Sequence, residues 1–248
     1  MISRSGFSLG LAAGLTLACA VPAGAAWAQR TASIAAAIAD PARPAKDRFR
    51  DDRRKPAETL AFAGVKPGMT VAELIPGNGY YTRLLARAVG LKGKVFTLPF
   101  GEPRADQSKA LAAEPAYAGN VTLVSTASPI SLALPAPVDM VWTSQNYHDV
   151  RQGRFLLNKA VFAALKPGGL YFVIDHAAKA GSGEEVLLSL HRIDEDVVKR
   201  EVETAGFVLD GEGQFLRNPK DDRTKMVFDR ELNRDTDQFV LRFRKPGP

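Results

Sequence analysis

The chain has 248 residues, 46% hydrophobic and 24% charged, with a formal net charge of +6, a balance that suits one globular domain with a full core. Its only cysteine, Cys19, falls in a leader segment, so a processed chain excludes thiol catalysis, disulfides and cysteine-zinc sites. Basic residues concentrate at 48–55, but acids interleave and no aromatic stacking series accompanies them. That reads as a salt-bridged, mostly solvated face, with Arg53 to Lys55 alternatively folding over an acidic ligand, and excludes nucleic acid as a partner.

The N-terminus carries a positive Arg4, an apolar run over 7–21 and an A-x-A site at Ala26, Trp27 and Ala28. This pattern predicts a secretory signal peptide over 1–28, cleaved before Gln29, and an exported, periplasmic protein with no membrane span in its mature form. The alternative is a lipid anchor through Cys19, since Thr16 to Cys19 loosely matches a lipoprotein-processing site. An N-terminal extension over 29–55 then leads to one domain over 56–248.

Residues 31–40 predict a short alanine-rich helix, halted by Pro41 and Pro44, and 47–54 a charged approach segment. A helix over 56–63 has Pro56 in its first turn and Gly64 as its stop. The β-branched run 71–75 predicts a strand that enters a turn of Pro76, Gly77, Asn78 and Gly79. A helix follows over 80–89. Further strands are expected at 93–98, 121–124, 138–143, 170–175, 207–210 and 238–243. Helices are expected at 106–114, 155–165 and, as one long element, 184–205, with Lys166 to Gly169 closing the second of them. The continuous apolar run at 170–175 is the kind buried on both faces of a parallel sheet. Alternating strands and helices predict a doubly wound α/β sheet with ligands at the carboxyl ends of its strands.

The turn after the first strand is the most specific local signal. Glycines at 77 and 79 allow unusual dihedrals and close approach of a ligand to backbone amides, with the Glu73 carboxylate inside the strand end. The pattern E-x-x-P-G-x-G resembles motif I of the class I S-adenosylmethionine (SAM) methyltransferases, and Lys166 to Asp175 resembles the entry to their fifth strand. More narrowly, the chain is similar to a bacterial group of predicted, often signal-bearing methyltransferases. The residues that carry this are Arg53 to Ala57, Gly64 to Met69, Glu73 to Tyr81, Asn146 to Asp149, Leu216 to Asp222 and Thr236 to Phe239.

The resemblance implies a seven-stranded, mostly parallel Rossmann-like sheet whose last strand is antiparallel, with an N-terminal helical extension. It implies SAM as cofactor, held by Glu73, Pro76, Gly77, Gly79, Tyr80, Tyr81 and Asn146, and a small-molecule substrate. Two departures stand out. The acid that holds the ribose in such enzymes is replaced by Pro99, with Glu102 the nearest substitute, and the third strand leads to Thr126, Ala127 and Ser128 rather than to an acid near adenine. A ribose held without charge assistance binds more weakly.

Asn146 to Asp149, just past the fourth strand, lies where these enzymes place substrate-facing residues. His148 is the candidate base, with Asp149 or Asp175 to orient its ring, and Tyr147 and His176 are candidate substrate contacts. The histidine spacing matches no metal motif, so no metal is assigned. His191 is expected on a helix surface or at the cleft edge. The charged stretch 216–234 is longer than a hairpin needs and reads as a lid, a partner surface or a solvated loop.

Methyl transfer from SAM to a small molecule is the leading function. The alternative is a non-catalytic periplasmic ligand-binding protein on the same fold. Export favours that alternative because SAM is made in the cytosol; the Glu73 and glycine-turn motif opposes it. The E-x-x-P-G-x-G pattern speaks against a nicotinamide oxidoreductase, and the lack of a G-x-S-x-G elbow against a serine hydrolase.

Overall fold

A computed structural model describes residues 23–100, 104–125 and 128–247. Most of the expected signal peptide, with Cys19, lies outside them, as do Glu102, Thr126 and Ala127. Among the described residues no helix is long and apolar enough to cross a membrane.

Helix α1 (Ala23–Ile38) starts earlier than the expected 31–40 helix and runs through the Ala28–Gln29 junction. Two single-turn helices, α2 (Ala45–Arg48) and α3 (Asp51–Arg54), make up the charged approach. Helix α4 (Pro56–Ala63) has proline in its first turn, where no amide hydrogen is needed, and ends on Gly64 at φ +81°. Strand β1 (Thr70–Leu74) then feeds the glycine turn and helix α5 (Tyr80–Val89). Both α4 and α5 have the bounds expected from their flanking glycines and proline.

Strand β2 (Lys94–Leu98), helix α6 (Arg104–Ala112), strand β3 (Val121–Leu123), strand β4 (Val138–Ser144) and helix α7 (Arg154–Ala164) follow in alternation. Strand β5 (Leu165–His176) is longer than expected: residues 166–169 do not close the helix but open the strand, across a register shift against Val138 and Met140. Strands β6 (Val208–Gly213) and β7 (Gln238–Arg244) complete the sheet.

The single long helix expected over 184–205 is corrected to two, α8 (Glu185–Ser189) and α9 (Glu195–Thr204). The chain leaves the helix so that Ile193 can bridge to Ala177 at the end of β5, and the Arg192 guanidinium turns inward to the carbonyls of Ala177 and Lys225. Asp194 then accepts from the Asp196 amide and caps a new helix.

The sheet order is β3-β2-β1-β4-β5-β7-β6, with β7 antiparallel to both neighbours and the remaining pairs parallel. One face packs on α7 and α9 through Leu157, Val161, Val198 and Val202. The other packs on α1, α4 and α5 through Ile34, Leu60, Leu84 and Leu85, so the N-terminal extension shares that core. Each buried leucine contributes about 1.5–3 kcal/mol relative to exposure. Strand order reverses between β1 and β4, and a cleft opens outside the carboxyl ends of the strands at that switch point.

Candidate active site

The glycine turn is held under backbone strain. Ile75 sits at φ +48°, in the left-handed region that β-branched side chains rarely enter, and its amide donates to the Leu98 carbonyl at 2.8 Å. Such strain costs about 1–3 kcal/mol and persists where surrounding structure enforces it. Gly77 (φ +55°) and Gly79 (φ +77°) follow. A β-carbon at Gly77 would meet nothing within 4 Å, whereas one at Gly79 would lie 2.4 Å from Leu111 Cδ2. Gly77 therefore leaves space against the turn amides, and Gly79 lets α6 pack closely.

Beneath the turn, Glu73 is buried opposite Thr97 and Trp142 and accepts a hydrogen bond from the Thr82 hydroxyl. Burial pushes its carboxyl up to about 8, against the opposing pull of Thr82, Arg54 and Arg83. Pro76, Tyr80 and Tyr81 are also buried. The Tyr80 hydroxyl donates to Asp51 at 2.6 Å, tying α3 to α5. Asn146 bridges strand ends instead of facing the cleft: it accepts from Thr143 and donates to the Ile75 carbonyl at 2.9 Å. Tyr147 likewise points into the protein, where its hydroxyl donates to Glu201 and accepts from Asn158, each at 2.8 Å.

His148 lies just beyond β4, and Asp175 near the end of β5. The Asp175 carboxylate accepts from the His148 backbone amide at 2.8 Å, from His148 Nδ1 at 2.8 Å and from the His176 amide at 2.7 Å. Of the two acids named from sequence, Asp175 is the one that orients the imidazole. A carboxylate at Nδ1 puts the ring proton there, leaving the Nε2 lone pair free on the cleft side. Burial alone would lower the His148 pKa, but Asp175 and then Asp149 outweigh it and the net shift is upward. Burial raises the Asp175 carboxyl, yet His148 holds it below the usual range overall. His176, 5.9 Å away ring to ring, is driven down to about 3 by burial, with the charges of His148, Arg192 and Arg54 adding to it. It is a neutral neighbour, bonded through Nδ1 to Thr236 at 2.7 Å.

Asp149 Oδ1 stands 3.6 Å from His148 Nε2, with Arg104 at 3.8 Å from its other oxygen. His191 belongs to no helix. It occupies the break between α8 and α9 at φ +52°, and its ring meets that of His148 edge-on at 5.6 Å. The side chains of His148, Asp149 and His191 bring ligand-type atoms within 4.8 Å of one another, a juxtaposition that sequence spacing did not reveal.

These groups line a cleft of about 660 Å³, inside the range of roughly 300–1,000 Å³ usual for small-molecule sites. The basic stretch is not simply a solvated face: Arg53 and Arg54, the alternative reading's candidates for an acidic ligand, reach the cavity together with Arg50. Arg54 lies over the rings of Tyr80 (4.6 Å) and Tyr81 (5.3 Å). Gln145, Phe228 and Arg234 also line the cleft and were not singled out from sequence. Gln145 carries no local signal, while Phe228 and Arg234 sit in the long connection that sequence left as lid, surface or loop. That connection is pinned by a fully buried ion pair, Arg192 to Asp221 at 2.8 Å, and by the Asp237 amide donating to Asp221.

No family model and no curated protein matches the chain. Solved structures do. A SAM-dependent methyltransferase from Aquifex aeolicus superposes with a TM-score of 0.58 at 20% identity, covering 82% of this chain and 98% of the other. The glycopeptide N-methyltransferase MtfA, complexed with SAM, gives 0.55 at 20% identity, over 77% and 87%. The [4+2]-cyclase SpnF gives 0.61 at 18% identity, over 82% of each chain. The fold is that of the class I SAM-dependent methyltransferases.

Proposed function

We propose that the protein transfers a methyl group from SAM to a small molecule, with His148 as the base that receives the acceptor's proton. The carrying observation is the His148–Asp175 pair, which presents a free Nε2 to a cleft that Asn78 of the glycine turn also lines. Gly77 leaves the space a cofactor backbone needs, and Arg50 and Arg54 supply cations for a carboxylate at that end. The nucleoside end has less support, because Pro99 stands where a ribose acid is usual.

When bound, SAM supplies an electrophilic methyl on a sulfonium. The protein's task is then to orient the acceptor, exclude water and take one proton. Asp175 fixes the imidazole tautomer and stabilises the imidazolium formed, and the neutral His176 beside it adds no competing charge. Asp149, next to Nε2, provides an acceptor for the nucleophile's hydrogen bond. Turnover of labelled SAM on a panel of small acceptors tests this reading. His148→Gln should abolish the turnover while preserving cofactor affinity.

A second reading has its own support. A binding protein without turnover fits the absent ribose acid. Cofactor or acceptor binding with no methylated product across the panel would favour it. Export through residues 1–28 belongs to the same proposal and is tested by the N-terminal mass of the protein recovered from the periplasm.

A further inference from the structure

The charges lining the cleft are one-sided. Lys46, Arg50, Arg53, Arg54, Arg104 and Arg234 face a single carboxylate, Asp149. Cations gathered in a concave site focus a positive potential and raise the local concentration of anions.

These cations fall into two groups. At the glycine-turn end, Arg54 and Arg50 lie over Tyr80, the latter at 5.4 Å. The Arg50 guanidinium has no hydrogen bond or ion pair among the described residues, and burial together with the Arg54 charge holds its pKa below normal. One carboxylate, such as that of a bound amino-acid moiety, answers that pair.

At the other end a separate set surrounds His148. The Phe228 ring, 49% exposed, stands 5.0 Å from the His191 ring, which stands edge-on to His148. Arg234 covers Phe228 at 4.7 Å and likewise makes no hydrogen bond or ion pair among the described residues. His191 and Arg234 both hold left-handed backbone, φ +52° and +61°, a conformation that side-chain-bearing residues rarely adopt. The buried Arg192–Asp221 pair anchors the segment that carries Phe228 and Arg234, so the wall is preformed. Arg104, 3.8 Å from Asp149, lines the same cleft. An aromatic wall, two cations and a proton-accepting nitrogen thus converge on one volume.

We propose that this half of the cleft binds a small planar molecule bearing an anionic group. Its ring lies against Phe228 and His191, its anion pairs with Arg234 and Arg104, and its nucleophilic atom faces His148 Nε2. The proposal rests on the methyl-transfer reading for the role of that nucleophile, but not for the binding itself.

The test uses the full chain and two matched probe pairs, 4-hydroxybenzoate with 4-hydroxybenzamide and 6-hydroxy-2-naphthoate with its amide. Each is titrated calorimetrically with and without saturating S-adenosylhomocysteine. At least one acid should bind about tenfold or more tightly than its amide. Arg234→Gln should erase that preference, and Phe228→Ala should weaken acid and amide alike. Raising the salt should weaken the acid alone. Equal affinity for acid and amide, or binding of neither member of either pair, overturns the proposal. A preference for the acid in a protein that ignores S-adenosylhomocysteine would keep the anion site and remove the methyl-transfer reading. Cofactor binding without any preference for acids would do the reverse.

Discussion

His148 Nδ1 lies 2.8 Å from Asp175 Oδ1, and the same carboxylate also accepts the His148 backbone amide. One acid therefore fixes both the ring and the turn that carries it. The acid is fully buried, so its charge acts on the imidazole with little solvent screening.

This pairing sets the pH dependence of turnover. Only the neutral imidazole accepts a proton, and Asp175 and Asp149 together raise its pKa, so activity should rise with pH through a value above 6.5. Asp175→Asn removes the charge that opposes burial. The acid limb of kcat/KM should then move to lower pH while kcat falls about 10²–10⁴-fold from loss of general-base catalysis. An unmoved acid limb in a folded variant would exclude His148 as the titrating group.

Glu73 should report cofactor binding through its proton. Burial raises its pKa from 4.5 to about 8, so at pH 7 the free protein holds a proton there. A cationic cofactor beside it favours the ionised form, and binding should release protons, seen as a calorimetric enthalpy that varies with the buffer's ionisation heat. The sign for stability follows from the same shift. Between about pH 4.5 and 8 the folded state retains a proton that the unfolded state has lost, so stability falls as pH rises through that window. Glu73→Gln should abolish both effects.

The two turn glycines should separate packing from binding. Gly79→Ala forces a methyl to within 2.4 Å of Leu111 at φ +77°, and should lower the melting temperature. Gly77→Ala meets open space and costs only the backbone strain, about 1 kcal/mol. It should leave melting nearly unchanged yet weaken S-adenosylhomocysteine binding about tenfold or more, because its methyl occupies the space against the amides. Equal effects of the two substitutions on both readouts would contradict this division.

Arg192 and Asp221 tie the β6–β7 connection to the break between α8 and α9. Arg192→Met leaves the Asp221 charge buried without its counter-ion and should cost about 3–5 kcal/mol in denaturant unfolding. Adding Asp221→Leu should recover a large part of that loss. If the double variant is no more stable than Arg192→Met, the pair is not the anchor described.

Much of the fold could be read from sequence because local chemistry decides it. Pro56 and Gly64 bound α4, Gly79 and Gly90 flank α5, and the apolar run of β5 marks a strand covered on both faces. The division between α8 and α9 was not legible, since it depends on Arg192 finding Asp221 across a separation of 29 residues. The same holds for 48–55. Interleaved acids made it look solvated, but Asp47 and Asp51 are spent on Arg83, Arg43 and Tyr80, which frees Arg50 and Arg54 to face the cleft. Within the site, the motif marked His148, Asp175 and the glycine turn. Tyr147 and Asn146 turned inward because Glu201 and the Ile75 carbonyl, both distant in sequence, offered them partners.

A switch-point cleft that holds SAM for methyl transfer should be visible in titration calorimetry of the protein with SAM and S-adenosylhomocysteine. Micromolar binding of both ligands, weakened by Gly77→Ala and accompanied by proton release that Glu73→Gln abolishes, is the predicted result. No heat with either ligand in a protein that melts cooperatively would contradict it.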